Sequence, residues 1–549
     1  MTSGADVTIA LVLAGYLGVL LFIAWRASRR THGGEDFHLA GRSLGAWAAG
    51  ISSTASSESG WVTLGAVGMT YVFGVSGLWY APGCLLGYLV NLYLVAPRLR
   101  TLSVDNGSLT LTDVITRRWG DPRHLLRLVS VVIIVVSMMA YVAAQMTAAG
   151  KALATTLGLG HVSWTVPLLG GGLSLSPYTL GVLIGAVVIT VVTLLGGFRS
   201  VAWTDLFQGL LMAAALIALP LYAVARLGGF SALVDSLGAI DPTLLTATGG
   251  RLGPALWGFV VGELGIGLGY PGMPHVVTRY MATKSDAEVR RLRVIAMVWG
   301  VVVFYGAGVV GLAGRVLLPG LADGETALMA LSLKLLHPAL AALMLAAVAS
   351  AILSTVSSQL LVAASAVSYD VVEEVMGRGS DDVRSLRLGR WTVALVGLIG
   401  VALALTGARV VFWFVLFAWS ALGASFGPLT LLALRRGGGN RFGALAGMLT
   451  GFGVTVAWKL GRDAAASPGP FAAVPWGVAV VVLAVLLAGS ALRRLERGDV
   501  VALAAAALVT VGAWGLVHLP TFATLYELVP AFVLAAAAAL LISRVTAAA

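Results

Sequence analysis

The chain has 549 residues, of which 59% are hydrophobic and only 11% are charged. A soluble protein carries roughly 25% charged residues, so this composition excludes an ordinary water-soluble enzyme. The formal net charge of +11 does not indicate nucleic-acid binding, because the basic residues fall in short clusters between apolar stretches. The single cysteine, Cys84, excludes an intramolecular disulfide and a cysteine-based metal site.

Apolar stretches of the length that crosses a bilayer core as a helix follow one another along the chain. They predict an all-α polytopic membrane protein with about 15 transmembrane spans. The predicted spans are residues 7–26, 45–73, 76–96, 124–149, 178–196, 203–227, 254–273, 292–316, 338–369, 388–407, 410–434, 442–459, 472–491, 500–518 and 523–543.

Basic residues cluster in every second connection between the predicted spans. Because basic loops are retained on the cytoplasmic side, this alternation predicts an N-terminus outside and a C-terminus inside. The first span has no basic residue before it and no cleavage site after it, so we interpret it as a retained span and not as a signal peptide. The basic clusters contain Arg26, Arg29, Arg30 and Arg42; Arg98, Arg100, Arg117, Arg118, Arg123 and Arg127; Arg199; Arg279, Lys284, Arg290, Arg291 and Arg293; Arg378, Arg384, Arg387 and Arg390; Arg435, Arg436 and Arg441; and Arg493, Arg494 and Arg497.

Two predicted spans are interrupted. The second contains the polar run ISSTASSESGW from Ile51 to Trp61, and the seventh contains the Gly- and Pro-rich run GELGIGLGYPGMPH from Gly262 to His275. The two interruptions are five spans apart. Broken helices at corresponding positions of two halves are typical of inverted-repeat transporters, in which substrate and ion sites lie at the breaks.

The energy source follows from a motif that the sequence lacks. No Walker A sequence with its Gly-Lys-Ser/Thr ending occurs, so ATP binding by this chain is not predicted. No catalytic set of residues is evident either. We therefore predict that the protein is not an enzyme, has no organic cofactor and is driven by an ion gradient.

The ninth span carries hydroxyl residues in the run SAILSTVSSQ from Ser350 to Gln359. Hard alkali cations prefer several oxygen ligands, which hydroxyls and freed carbonyls supply without added charge. The hydroxyls of Ser354, Ser357 and Ser358 share one helix face. The alternative is that these hydroxyls bond back to carbonyls of their own helix or join helices together.

Two acidic residues lie within predicted spans. Asp205, near the start of the sixth span, is either an anionic partner of a bound cation or a solvated acid at a helix N-terminus. Glu58 lies among small hydroxyl residues inside the interrupted second span. An unpaired carboxylate is costly there, so a functional role or protonation of Glu58 is predicted.

Long colinear segments resemble the sodium:solute symporter family, and most closely its sodium/proline symporter branch. The likeness spans residues from about 5 to 490. The segments that carry it are GRSLGAWAAGISSTASSESGW (41–61), APRLRTLSVDNGSLTLTDVITRRWGD (96–121), LLGGFRSVAWTDLFQG (194–209), GLGYPGMPHVVTRYMA (267–282), AILSTVSSQLLVAASA (351–366) and FAWSALGASFGPLTLLALRRGGGNRFGALAGMLTG (417–451).

The resemblance implies a leucine-transporter-like fold of two inverted five-helix repeats. Residues 1–44 would form an extra N-terminal helix and a cytoplasmic loop, and residues 45–275 the first repeat and the start of the second. Residues 276–435 would complete the second repeat with the cation-site helix 338–369, and residues 436–549 would form accessory C-terminal helices.

The resemblance also implies the residues of the transport site. The common sodium site would use carbonyls of Ala55, Glu58 and Ala351 and the hydroxyls of Ser354 and Thr355. A second sodium site, which some members have, would use Asp205, Ser354, Ser357 and Ser358. The substrate site would contain Ser57, Ser59, Gly60, Trp61, Tyr141, Tyr270 and Pro274.

The sequence departs from the proline symporters at the substrate site. They carry Asp at the position of Ser57, Met at Glu58 and Trp at Ile266. One helical step rotates a side chain by about 100°, so we expect that the Glu58 carboxylate does not simply replace the missing Asp.

We therefore predict a sodium-coupled secondary active symporter that imports proline or a similar small amino acid. The alternatives are proton or sodium coupling to another small carboxylate or solute, a transporter-fold sensor and, less favoured, an ion channel. The expected setting is multi-pass in the plasma membrane, for a bacterium the inner membrane. The expected partners are a small-molecule substrate and the lipid bilayer, with a monomeric protein and no nucleic acid.

Overall fold

The computed structural model describes residues 4–29, 34–156, 164–168, 171–377, 382–405, 411–435, 437–466, 495–519, 522 and 524–547. Within these residues the protein is built almost entirely of helices. The predicted span at 472–491 lies outside the described residues.

In the first half of the chain, the described residues form twelve α-helices and one short hairpin. The helices are α1 (Gly4–Ser28), α2 (Gly34–Leu39), α3 (Ala46–Gly60), α4 (Val67–Phe73), α5 (Tyr80–Val90), α6 (Ala96–Asp105), α7 (Leu111–Trp119), α8 (Leu125–Thr156), α9 (Pro177–Leu227), α10 (Phe230–Ile240), α11 (Gly253–Gly265) and α12 (Pro274–Met281). Strands β1 (Trp164–Leu168) and β2 (Gly171–Leu175) pair antiparallel, with Trp164 opposite Leu175. This small hairpin is a local exception to the all-α prediction.

The second half of the chain continues with helices. The helices are α13 (Asp286–Leu317), α14 (Ala327–Leu335), α15 (Pro338–Ser365), α16 (Asp382–Leu405), α17 (Val411–Ala433), α18 (Arg441–Ala466) and a C-terminal pair, Arg497–Val517 and Leu528–Ala547. Short 3₁₀ and π turns occur in both halves of the described chain. The 3₁₀ turns are Ala40–Arg42, Gly74–Trp79, Pro242–Leu245, Ile266–Gly272 and Gly324–Thr326, and the π turns are Trp61–Ala66, Asn91–Val95 and Ala366–Val375.

By length and composition, eleven helices of the described chain are able to cross a membrane. One of them, the continuous helical stretch Ala46–Asp105, covers two predicted spans. These spans are separated at Gly74, where φ is +62° and a Cβ would collide with Leu244. The predicted spans at 178–196 and 203–227 likewise form one helix, α9, with a non-helical Gly197 between them. The total of about 15 spans and the orientation remain predictions.

Both interruptions that the sequence predicts are present. In α3 the chain leaves helical geometry at Ser59, with φ +54° and ψ −171°, and continues as the π turn from Trp61. The second interruption lies between α11 and α12, where the turn Ile266–Gly272 is followed by extended Met273. Proline disfavours helical geometry in the residue before it, so Pro274 accounts for the conformation of Met273.

The two interrupted segments lie at the centre of the molecule. Helix α3 packs against α9, α12, α13 and α15, and all its residues except Trp47 are buried. Helix α17 packs against the turn between α11 and α12, and the C-terminal pair packs against α18. Large apolar side chains such as Leu11, Phe22, Trp391 and Leu398 are exposed on outer helices, as a lipid-facing surface requires.

Candidate cation and substrate site

Hydroxyl groups of α15 meet carbonyl groups of α3 just before its break. The Ser354 hydroxyl donates to the Ala55 carbonyl at 3.3 Å, and the Thr355 hydroxyl donates to the Ser56 carbonyl at 3.1 Å. The Ala351 carbonyl lies 3.2 Å from Ser354 Oγ and 3.0 Å from Thr355 Oγ1. Four of the five residues predicted for the common sodium site are therefore in direct contact.

The same hydroxyls also bond back to their own helix, which was the alternative reading of the sequence. Ser354 and Thr355 both reach the Ala351 carbonyl, and Ser358 donates to the Ser354 carbonyl at 2.8 Å. Ser354 and Thr355 also reach across to α3. The hydroxyls therefore bond within their own helix, as the alternative predicted, and also lie at the candidate cation site between the two helices.

The fifth predicted ligand is the carbonyl of Glu58. It accepts a hydrogen bond from the Trp61 backbone N–H across the break at Ser59. The break thus holds Glu58 at the last helical position of α3. An interrupted helix is where a transmembrane protein has carbonyl oxygens free to coordinate a cation.

Asp205 belongs to a buried charged cluster beside the hydroxyls. Its Oδ2 atom accepts hydrogen bonds from Ser52 at 2.6 Å and from Ser56 at 3.0 Å. The Arg279 guanidinium lies 3.1 Å from the same oxygen and also donates to Ser358. Asp205 is therefore neither solvated nor free, because the carboxylate predicted to bind a second sodium ion already has a cationic partner.

The burial of Arg279 corrects its assignment to a cytoplasmic loop. It lies in α12 with no exposed side-chain surface. Arg127, another of the predicted loop residues, is also buried and pairs with Asp113 at 2.8 Å and Asp370 at 2.7 Å. The apolar neighbours of Arg279 in the run PHVVTRYMA were the available signal, since an arginine in such a run needs a buried acid as its partner.

A small cavity lies at the two breaks. Its lining residues come from five separate parts of the chain: α3 with the π turn that follows it, α5, α8, the turn after α11, and α17. Its lining residues are Ser57, Glu58, Trp61, Cys84, Tyr141, Ile266, Tyr270, Val415, Leu416 and Trp419.

The Glu58 side chain turns into this cavity and is held by three hydroxyl groups. Its Oε1 atom accepts hydrogen bonds from Tyr88 at 2.7 Å, Ser57 at 2.8 Å and Tyr270 at 3.0 Å. The carboxylate therefore lies beside residue 57, where the proline symporters have Asp. The longer glutamate side chain thus reaches back to its neighbour, and that the Glu58 carboxylate does not simply replace the missing Asp stays a prediction.

Two glycines make room for the aromatic walls of the cavity. A Cβ at Gly87 would overlap the Tyr270 ring, and a Cβ at Gly269 would overlap the Trp419 indole. The Tyr270 and Trp419 rings meet edge to face with centroids 4.9 Å apart. Trp419 also donates to the Ile266 carbonyl at 3.0 Å and so fixes the broken turn.

The predicted substrate residues divide into three groups. Ser57, Trp61, Tyr141 and Tyr270 line the cavity. Ser59 and Gly60 form its support: the Tyr141 hydroxyl lies 3.5 Å from Ser59 Oγ, and Gln145 accepts from the Gly60 N–H at 2.9 Å. Pro274 lines a different cavity. The sequence analysis missed Cys84, Val415, Leu416 and Trp419 as lining residues, since only tertiary packing brings their helices to the break.

The second cavity lies beside Arg279 and Pro274. It is bounded by α2, the start of α7 and the end of α15, and includes His38, Thr110, Ser365 and Asp370. His38 Nδ1 lies 2.8 Å from Ser365 Oγ. Burial lowers the pKa of His38 from 6.5 to about 4, so this histidine is neutral at physiological pH.

Comparison with known proteins identifies the family of this chain. The pattern of the sodium:solute symporter family matches residues 37–451. The chain is 34% identical over 444 residues to the high-affinity proline transporter PutP of Bacillus subtilis (strain 168), covering 80% of this chain and 89% of the relative. The chain belongs to the sodium:solute symporter family.

Two further relatives support this assignment to the family. The osmoregulated proline transporter OpuE of Bacillus subtilis (strain 168) is 31% identical over 487 residues, covering 88% of this chain and 94% of OpuE. The sodium/proline symporter of Escherichia coli (strain K12) is 33% identical over 447 residues, covering 80% of this chain and 84% of the relative. The predicted class is confirmed: the protein is a multi-pass membrane symporter of the plasma membrane and not an enzyme.

A solved structure supports the fold. A Na⁺-coupled sialic acid symporter in a substrate-bound, outward-open state superposes with a TM-score of 0.65 at 18% identity. The likeness covers 93% of this chain and 97% of the symporter. The protein therefore shares the general fold of that transporter.

Proposed function

We propose that the protein imports proline, or a closely similar small amino acid, together with sodium. The observation that carries this proposal is the convergence of Ser354 and Thr355 with carbonyls of Ala55, Ser56 and Ala351 at the broken helix. Proline transport by the relatives supports the choice of substrate.

The transport cycle follows from the position of the two sites. Sodium binds between α3 and α15 through the carbonyls of Ala55, Glu58 and Ala351 and the hydroxyls of Ser354 and Thr355. The same few residues of α3 that hold sodium continue into the wall of the substrate cavity through Ser57, Glu58 and Trp61. Sodium thereby fixes the cavity, and by reciprocity the substrate raises the affinity for sodium.

We assign one sodium ion to the cycle. A second ion at Asp205, Ser354, Ser357 and Ser358 would lie beside the Arg279 guanidinium, which already neutralises Asp205. Like charges repel strongly in a buried site, so the arginine opposes a second cation there.

The leucine-transporter-like arrangement of two inverted five-helix repeats explains why two breaks meet at one cavity. In this arrangement residues 45–275 and 276–435 hold the repeats, preceded by residues 1–44 and followed by the helices of 436–549. Alternating access is a rocking of one helix group against the other around the fixed site. The basic clusters support an outside N-terminus and an inside C-terminus.

Uptake into proteoliposomes tests the proposal. Purified protein is reconstituted, and uptake of labelled proline, other small amino acids, a short monocarboxylate and a sugar is measured with sodium and proton gradients imposed separately. We expect proline uptake that requires the sodium gradient. Uptake driven by protons alone, or of another solute alone, would reject the proposal.

A matched pair of variants tests the sodium ligands. We expect Ser354→Ala to raise the half-saturating sodium concentration at least ~10-fold, since it removes a cation ligand and a helix contact. The control is Thr455→Ala in α18, because Thr455 is equally buried but bonds only to the Gly451 carbonyl of its own helix at 2.8 Å. Equal effects of the two variants on the sodium requirement would argue against the assigned site.

A further inference from the structure

The substrate cavity has one acidic residue. Among the ten residues that line it, Glu58 alone is acidic, and no lining residue is basic. Four lining residues, Trp61, Tyr141, Tyr270 and Trp419, are aromatic. The described wall of the cavity therefore presents an acid and aromatic rings to its ligand.

Only one of the two carboxylate oxygens of Glu58 accepts hydrogen bonds from the described residues of the protein. All three hydroxyl donors, from Ser57, Tyr88 and Tyr270, end on Oε1. No hydrogen bond within the described residues ends on Oε2. The donors hold the carboxylate in one orientation and leave its second oxygen for a ligand in the cavity.

Burial makes a cationic ligand favourable at this position. The Glu58 side chain is about 1% exposed, at membrane depth, where an unpaired carboxylate is costly. A bound cation offsets that cost, and the surrounding rings add the attraction between a cation and an aromatic face. A ligand without a positively charged group offers neither contribution.

We propose that the Glu58 carboxylate binds the ammonium group of the substrate and so selects small solutes with a positively charged nitrogen. This inference rests on the proposed import of a small amino acid and specifies how it is recognised. The secondary ammonium of proline would pair with Oε2 beside the aromatic rings. Sugars and short monocarboxylates lack the group that Glu58 binds and are excluded.

A pair of competitors that differ in one ring position tests the proposal. Tetrahydro-2-furoate has the shape and carboxylate of proline but an ether oxygen in place of the ring ammonium. Both compounds compete with labelled proline for sodium-driven uptake, and the ratio of their inhibition constants is measured. In the wild-type protein we expect tetrahydro-2-furoate to bind at least ~10-fold more weakly than proline.

The variant Glu58→Gln keeps the size of the side chain and removes its charge. We expect it to weaken proline binding at least ~10-fold and to bring the ratio of the two inhibition constants close to unity. The matched control is Glu263→Gln. Glu263 is a buried carboxylate of α11 that does not line the cavity, so this variant is expected to leave the ratio unchanged.

An unchanged ratio in Glu58→Gln would overturn the proposal. If Glu58 acted through sodium or through a transported proton, proline and its ether analogue would be weakened equally. A shifted pH profile of uptake with a constant ratio would then identify Glu58 as a proton-binding group instead.

A direct binding measurement separates this proposal from the proposed function. If the unchanged protein imports no proline, the import proposal fails. Ligand-induced changes in tryptophan fluorescence are then measured with pyrrolidine and with tetrahydrofuran. A response to pyrrolidine alone, lost in Glu58→Gln, would still support recognition of ammonium by Glu58, whereas equal responses would overturn it.

Discussion

Single atoms decide the shape of the substrate cavity. Gly269 has no side chain because the Trp419 indole occupies the space where a Cβ would lie. Trp419 in turn contacts Tyr270, whose hydroxyl holds Glu58. A methyl group at residue 269 would therefore affect the carboxylate through three successive contacts.

We predict that Gly269→Ala lowers stability by about 1–3 kcal/mol, the usual effect of overpacking, and weakens substrate binding. Thermal unfolding in detergent and the KM for proline measure the two effects. The control is Gly512→Ala in the C-terminal pair, where a Cβ meets no atom within 4 Å. A neutral Gly269→Ala would show that Trp419 is free to move away.

His38 predicts how stability depends on pH. Its pKa is lowered by burial from 6.5 to about 4, so the unfolded chain binds more protons than the folded protein between these values. Stability is lost as pH falls from 6.5 to 4, by about 3 kcal/mol in all from this residue.

We expect His38→Gln to flatten the dependence of the unfolding temperature on pH in this range. The exposed His518 provides the matched control in His518→Gln, which is expected to leave the slope unchanged. An unaltered slope in His38→Gln would show that other groups govern the acid sensitivity.

At the scale of helices, one arginine joins three elements. Arg127, at the start of α8, pairs with Asp113 of α7 and with Asp370 in the π turn after α15. All three side chains are buried. Removing one partner of a buried ion pair leaves an uncompensated charge, and this cost is larger than any contribution of the intact pair.

We predict that Arg127→Leu destabilises the protein by about 3–5 kcal/mol. Arg123→Leu, a few residues earlier, is the control. Arg123 is 38% exposed and pairs with Glu496, so its loss is expected to cost at most about 1 kcal/mol. Thermal unfolding of both variants gives the comparison, and similar effects would contradict a special role for the buried cluster.

At the scale of the whole molecule, two breaks from distant parts of the chain share one centre. Helix α3 lies against α12, so the Asp205–Arg279 pair and the sodium ligands lie along the same short stretch of α3. We expect the charge balance of this centre to set how many sodium ions accompany each substrate.

We predict one sodium ion per substrate, because Arg279 already neutralises Asp205. The sodium dependence of uptake should have a Hill coefficient of about 1, and coupled fluxes of labelled sodium and proline should be equal. A Hill coefficient close to 2 would instead support the second site at Asp205, Ser354, Ser357 and Ser358.

Much of the site was predictable from sequence. Apolar length predicted the membrane helices, because a bilayer imposes a fixed span on any helix that crosses it. Polar residues in one span, and Gly and Pro in another, predicted the two breaks. The hydroxyl run of α15 predicted the contact with α3 through its similarity to the family.

The remaining features required the tertiary structure. Hydropathy, a local property of the sequence, determined that the chain is a membrane protein, and the resemblance to the family predicted the symporter class and the helix of the candidate cation site. Only the fold decided that Arg279 pairs with Asp205, that Glu58 reaches back to Ser57 and that Trp419 lines the cavity. These contacts join residues far apart in the chain or depend on side-chain direction, and both are set by packing.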